Sequence, residues 1–301
     1  MKSFLIKTGL LTGLLWVAAC KDTPKKTEAP AEPELQLVAE TFTFTEGPAT
    51  APNGDIYFTD QPNDRILRWN AADGSIDTYM QPAGRANGLY FDLEGNLLAA
   101  ADEKFELWRI RPDQTVEVLA DAYQGAHFNG PNDIWVHPDG TIYFTDPYYQ
   151  RPWWTRQAKE IEAEQVYMIR PGTDSVVLAA TDFVQPNGII GTRDGKTLYI
   201  ADIGDDKTYS YPIAPDGSLG ERTLVAEMGS DGMTLDASGN LYLTGNGVHV
   251  YSPDGELLRH IEVPEDWTAN VTFGGQDGRT LFITAMDAVY TLKMDVKGMY
   301  P

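Results

Sequence analysis

Six times along the chain a polar residue opens an alternating or apolar stretch and is followed, eight positions later, by a glycine. The pairs are Glu46 with Gly54, Asn87 with Gly95, Asn132 with Gly140, Asn187 with Gly195, Asp231 with Gly239 and Asn270 with Gly278. Before the glycine lie segments such as Gly88-Leu89-Tyr90-Phe91-Asp92, and after it β-branched and aromatic runs such as Thr141-Ile142-Tyr143-Phe144-Thr145-Asp146. Period-two alternation interrupted by Asn53-Gly54, Asp139-Gly140, Asp194-Gly195 and Asp277-Gly278 predicts strand, tight turn, strand, because these dipeptides tolerate positive φ. Further strands, such as Glu106 to Ile110 and Val116 to Leu119, bring each unit to about four. Successive polar residues stand 41, 45, 55, 44 and 39 positions apart, near the roughly 40 to 50 residues of a four-stranded propeller blade. The fold expected for residues 35–301 is therefore all-β, a six-bladed β-propeller; an open solenoid suits four short antiparallel strands per repeat less well. Leu35 to Glu40 precedes the first unit and is expected to close the ring as the outer strand of the last blade. Thr155 to Gln165 reads as a short helical insertion in the third blade.

Ahead of this body the pattern changes. Lys2 and Lys7 precede an apolar run that ends at Cys20, the only cysteine of the chain. Residues 1–19 read as a secretory signal peptide, too short to span a bilayer as a mature helix. Val17-Ala18-Ala19-Cys20 resembles a bacterial lipobox, with Cys20 as the lipidated residue; an ordinary cleaved signal is the alternative. Residues 20–34, charged and Pro-rich, read as a solvated linker. The expectation is an exported bacterial lipoprotein, membrane-anchored on the periplasmic or outer side of the cell envelope. Composition narrows the partners. With 44 Asp+Glu against 23 Lys+Arg, a net charge of -21 leaves no electrostatic footprint for nucleic acid.

In a propeller the first strand of each blade lines the central channel, so Glu46, Asn87, Asn132, Asn187, Asp231 and Asn270 converge on one axis. They are oxygen-bearing without exception, although polar residues also simply begin inner strands. Two carboxylates at ~4 Å repel by about 4 kcal/mol at an effective dielectric of 20. A shared proton or a divalent cation would offset this. Hard oxygen donors without His or Cys favour Ca2+, with Mg2+ second and Zn2+ or Mn2+ as further alternatives. No Gly-x-Ser-x-Gly elbow, P-loop or EF-hand loop is present. Of the four histidines, His137 and His249 read as structural, and His127, five residues before Asn132, is a candidate for proton transfer.

From Leu35 to Gly298 the chain resembles the calcium-dependent lactonase propellers, the gluconolactonase and regucalcin-like (senescence marker protein) group. The motifs that carry the resemblance are Glu46-Gly47-Pro48, Arg85-Ala86-Asn87-Gly88, Pro131-Asn132-Asp133, Thr145-Asp146-Pro147, Pro186-Asn187-Gly188, Asp231-Gly232-Met233 and Asn270 to Gly275, in order on the expected blades. The resemblance implies a metal bound by Glu46, Asn187 and Asp231 with Asn132 as a fourth ligand. It also implies substrate hydroxyls held by Arg85 and Asn87, and Asp231 acting as general base. Asp133 and His127 are the next candidates for the base, and Asp133 also for substrate contact. Related phosphotriesterases carry a histidine on the last blade where this chain has Asn270, which points away from organophosphate chemistry. The expected activity is calcium-dependent hydrolysis of a small-molecule lactone, foremost a sugar lactone. The alternatives are promiscuous ester or phosphotriester hydrolysis and a non-catalytic binding platform with structural calcium. The long connection after Asp146 is expected to overhang the site, with Tyr148, Trp153 and Trp154 as an apolar wall, or else to seal the outer blade.

Overall fold

A computed structural model describes residues 34–300 and, before them, only Met1 and Gly9. The expected lipidation site Cys20, the expected linker up to residue 33 and all of the expected signal peptide apart from Met1 and Gly9 lie outside the described residues. The body is a six-bladed β-propeller of six four-stranded antiparallel sheets, each with sequential strand order except the last. The first blade shows the plan: inner strand Thr45–Thr50, then Ile56–Asp60, Arg65–Trp69 and the outer Ile76–Met80. The six inner strands are Thr45–Thr50, Ala86–Phe91, Ile134–Val136, Pro186–Gly191, Met233–Leu235 and Thr268–Gly274. The repeated glycines occupy the first turn of each blade, with φ between +67° (Gly278) and +92° (Gly140), a region closed to most side chains. That requirement is what holds the eight-residue offset constant.

The last blade is completed as expected. Gln36–Ala39 pairs antiparallel with Ala288–Lys293 as its outer strand, so the ring is closed by hydrogen bonds between the two ends of the body. Between blades the strands pack through apolar faces. Trp135, Tyr143, Leu198, Ile200 and Leu243, each fully buried, belong to one cluster spanning the third, fourth and fifth blades. Burial of such side chains contributes roughly 1.5–3 kcal/mol each.

The expected helical insertion is a correction. Among the described residues only two short 3-10 turns are helical, Gln61–Asn63 and Asp102–Lys104. Residues 155–164 form turns and bends that lead into the strand Gln165–Ile169. The segment has helix-forming composition but no apolar stripe to bury, so tertiary contacts decide. Arg156 donates to the carbonyls of Phe128 (2.8 Å) and Asn129 (2.5 Å). Glu160 accepts the His127 amide and Glu164 the Tyr148 amide.

Candidate active site

The ring residues are delivered by chain segments lashed down by aspartate carboxylates, those of Asp60, Asp146 and Asp202 being buried. Asp60 accepts the amides of Thr43 (3.0 Å) and Phe44 (3.3 Å), just before Glu46. Asp146 accepts those of Asn129 (2.9 Å) and Gly130 (2.8 Å), just before Asn132. Asp202 accepts those of Val184 (2.9 Å) and Gln185 (2.8 Å), just before Asn187. For the second and fifth blades an aspartate of the preceding blade serves: Asp64 holds Ala83 and Arg85, and Asp206 holds Gly229. Two glycines let the ring close tightly. A Cβ on Gly47 would stand 2.1 Å from the Asn87 carbonyl oxygen, and one on Gly88 would stand 2.3 Å from that of Asn132, so each inner strand abuts the next without a side chain between.

A cavity of about 230 Å³ opens at this end of the channel. Glu46, Asn87, Asn132 and Asp231 line it from the ring, and Tyr149, Arg151 and Trp267 from the loops above. Asp231 is held from two sides: Trp267 Nε1 donates to Oδ2 at 2.6 Å, and Asn187 Nδ2 donates to Oδ1 at 2.8 Å and is 2.9 Å from the Tyr149 hydroxyl. Glu46 Oε2 accepts the Gly47 amide (2.7 Å) and Asn270 Nδ2 (3.2 Å). Burial, then the charge of Asp231, push the Glu46 carboxyl well above the usual carboxylate range. Burial raises Asp231 too, against the opposing effects of the Trp267 and Asn187 hydrogen bonds and the Arg151 charge. Asn187 Oδ1 is buried without a hydrogen-bond partner. An orphaned amide oxygen beside two carboxylates that burial disfavours as anions is an oxygen-only donor set that fits a hard divalent cation. Among the described residues no group of three His, Cys, Asp or Glu offers another metal site.

A family model described as the SMP-30/gluconolactonase/LRE-like region matches residues 44–287, all of the ring except the two outer strands of the last blade. The chain belongs to this gluconolactonase family. A gluconolactonase of Zymomonas mobilis subsp. mobilis is 26% identical over 295 residues, covering 88% of this chain and 82% of the relative. A 6-deoxy-6-sulfogluconolactonase of Pseudomonas putida is 30% identical over 241 residues, covering 76% of this chain and 78% of the relative. The solved structure of a gluconolactonase from Xanthomonas campestris superposes with a TM-score of 0.80 at 29% identity, covering 87% of this chain and 89% of that one.

Within this gluconolactonase-family propeller the expected site residues separate into groups. Glu46, Asn87, Asn132, Asn187 and Asp231 come together at the cavity, with Asn270 beneath Glu46. Asp133 lines instead a second, larger cavity of about 360 Å³, walled largely by apolar residues such as Leu89, Ile134, Ile189 and Phe273. There its carboxylate accepts the Ile134 amide, and burial raises it to about 7. His127 is exposed on the two-stranded ribbon of Ala122–Tyr123 and Ala126–His127, its Nδ1 3.1 Å from the Asp121 carbonyl. Arg85 stacks on Trp153 (4.8 Å to the ring centroid), lies 3.5 Å from Glu103 and bonds the Pro62 carbonyl, so it stands beside the cavity rather than on its wall. Tyr148 and Trp154 pack against each other, and Trp154 is buried with Nε1 on the Asp102 carbonyl (3.0 Å); neither lines the cavity. The expected aromatic wall is thus replaced by Tyr149 and Arg151 of the same loop, with Trp267 opposite. Trp267, three residues before Asn270, carried one signal: a large aromatic directly before an inner strand whose other side neighbours are polar or small.

Proposed function

We propose that the protein is a calcium-dependent hydrolase that opens sugar lactones. The reading is carried by the cavity in which Glu46, Asn132 and Asp231 share a wall with Asn87 beside the unpartnered Asn187 oxygen, within a family whose relatives include a gluconolactonase and a 6-deoxy-6-sulfogluconolactonase. Glu46, Asn132, Asn187 and Asp231 would hold the ion. When bound, a calcium ion supplies Lewis-acid polarisation of the lactone carbonyl and charge compensation for the oxyanion.

The remaining chemistry falls to side chains. The Asp231 carboxylate takes a proton from the attacking water as its oxygen bonds the carbonyl carbon. The bond from that carbon to the ring oxygen then breaks, and the ring oxygen leaves as a hydroxyl with the returned proton. Trp267 and Asn187 fix the carboxylate for this role, each by a hydrogen bond on a different oxygen. Asn87, with both a donor and an acceptor on its amide, suits the paired requirements of a sugar hydroxyl. We further propose export and lipid anchoring through Cys20, supported by the apolar run that ends at this sole cysteine. The deciding experiment is a pH-indicator screen over sugar, aryl and acyl-homoserine lactones, with and without added calcium. Acid release from sugar lactones that depends on calcium supports the reading; no acid release from any lactone overturns it.

A further inference from the structure

Arg151 lines the same cavity, where its charge acts on Asp231 but its guanidinium makes no hydrogen bond to a ring residue. The guanidinium is held as a plane among aromatic rings, 5.1 Å from the Tyr149 centroid and 5.9 Å from that of Trp153. Its Nε lies 3.6 Å from Asp102 Oδ1, beyond hydrogen-bond reach, and is buried without a partner. Beyond Asp102 the guanidinium has no hydrogen-bond partner among the described residues. The neighbouring Arg85 also has a buried Nε without a hydrogen-bond partner, but its guanidinium donates to the Pro62 carbonyl and lies 3.5 Å from Glu103.

The loop that carries Arg151 is fixed by an aspartate released from the task its counterparts perform. Asp102 directly follows the second strand of its blade, Leu97–Ala101, close to where Asp60, Asp146 and Asp202 stand in theirs, but Asp64 already ties the chain leading into that blade. Asp102 instead accepts Trp153 Nε1 on Oδ2 (3.1 Å) and Trp154 Nε1 on its carbonyl (3.0 Å). It thereby pins both tryptophans and the arginine next to them.

A buried carboxylate, the Trp153 indole and the Tyr149 ring thus surround one cationic fork beside the reaction cavity of a chain with 44 acids against 23 bases. The amides of Asn87 and Gln185, which line the same cavity, suit neutral hydroxyls. A planar guanidinium matches two oxygens of an oxyanion at once, a fit that a hydroxyl does not offer.

Resting on the lactonase reading above, we propose that Arg151 sets the substrate class: a lactone that carries an oxyanion, as carboxylate, sulfonate or phosphate, on a substituent away from the ester that is opened. The test compares initial rates on glucono-1,5-lactone, a lactone of glucaric acid and 6-phosphogluconolactone for wild type, Arg151→Met and Arg151→Lys, after confirming by circular dichroism that each variant is folded. In the wild type, kcat/KM for a charged lactone should exceed that for the neutral one by about tenfold or more. Arg151→Met should erase that ratio, mainly through KM, and Arg151→Lys should restore part of it, as a point charge without the fork. Which charged lactone leads shows whether a carboxylate or a phosphate is preferred. No preference in the wild type, or equal losses on charged and neutral lactones in Arg151→Met, would overturn the inference. If no lactone is opened, the reading of function fails by itself, and calorimetric titration with glucarate and gluconate decides this one. Tighter binding of the dianion that disappears in Arg151→Met sustains the anion site, and equal or absent binding removes it.

Discussion

Asp146 offers a quantitative test of how the ring is held. Its carboxylate is fully buried and accepts two buried amides, those of Asn129 and Gly130. Burial pushes its pKa from an ordinary 3.8 up to about 7, only partly opposed by those two hydrogen bonds. The folded chain therefore binds this proton more tightly than the unfolded chain. The resulting stabilisation is complete below the unfolded pKa and is lost as the pH rises through about 7. At 1.36 kcal/mol for each tenfold change in proton affinity, the whole effect is about 4 kcal/mol, of which about 2–3 kcal/mol falls between pH 5 and pH 8. Asp146→Asn keeps the shape and one acceptor, has no proton to lose, and turns an amide donor toward the second backbone N–H, at a cost of about 1–3 kcal/mol. Urea denaturation of both proteins at pH 5 and pH 8 measures the difference directly. The variant should be clearly less stable at pH 5, and its deficit should shrink by about 2–3 kcal/mol at pH 8. A deficit that is the same at both pH values would refute the assignment of a buried, proton-retaining carboxyl at this position.

Exhaustive chelation should abolish lactone hydrolysis and lower Tm by about 5 °C if calcium had been present at about a hundred times its Kd, and calcium should restore both; scanning calorimetry with a parallel activity assay reads this. Asp231→Asn keeps an oxygen donor but loses the base, so kcat should fall by about 10²–10⁴-fold while calcium still raises Tm, and a fully active variant would move the base elsewhere. Cys20→Ser should shift the protein from the membrane to the soluble fraction with lactonase activity retained, as fractionation and immunoblotting would show.

The blades were legible because two constraints repeat at a fixed distance. A turn that needs positive φ and a ring residue on the channel axis stand at opposite ends of one inner strand, so Asn87 with Gly95 and Asn187 with Gly195 obey the same ruler. Closure of the ring was legible too, since Leu35 to Glu40 had no unit of its own and the last blade needed an outer strand. The insertion misled because Thr155 to Gln165 is composed of helix formers, and composition says nothing about Arg156 reaching the Phe128 and Asn129 carbonyls. Alternation places residues on strand faces, which is why the ring residues meet at one cavity. It does not say which loop residue arches over the channel. Tyr148 and Tyr149 are adjacent and alike, yet only Tyr149 lines the cavity. The work of Asp60, Asp146 and Asp202 was half visible: their position at one mouth follows from strand direction, whereas their backbone amide partners lie 16 to 18 residues away in sequence.

The division of labour among those aspartates bears on how such an enzyme changes over generations. The chain leading into each of the first five blades is tied by Asp60, Asp64, Asp146, Asp202 or Asp206, whereas the loop over the cavity hangs from Asp102. Mutational drift in that loop, including loss or gain of a charge at position 151, leaves every one of these five tethers in place. A lineage can thus trade one substrate for another by rewriting the loop over the cavity, while the strands that carry the reactive centre keep their own tethers.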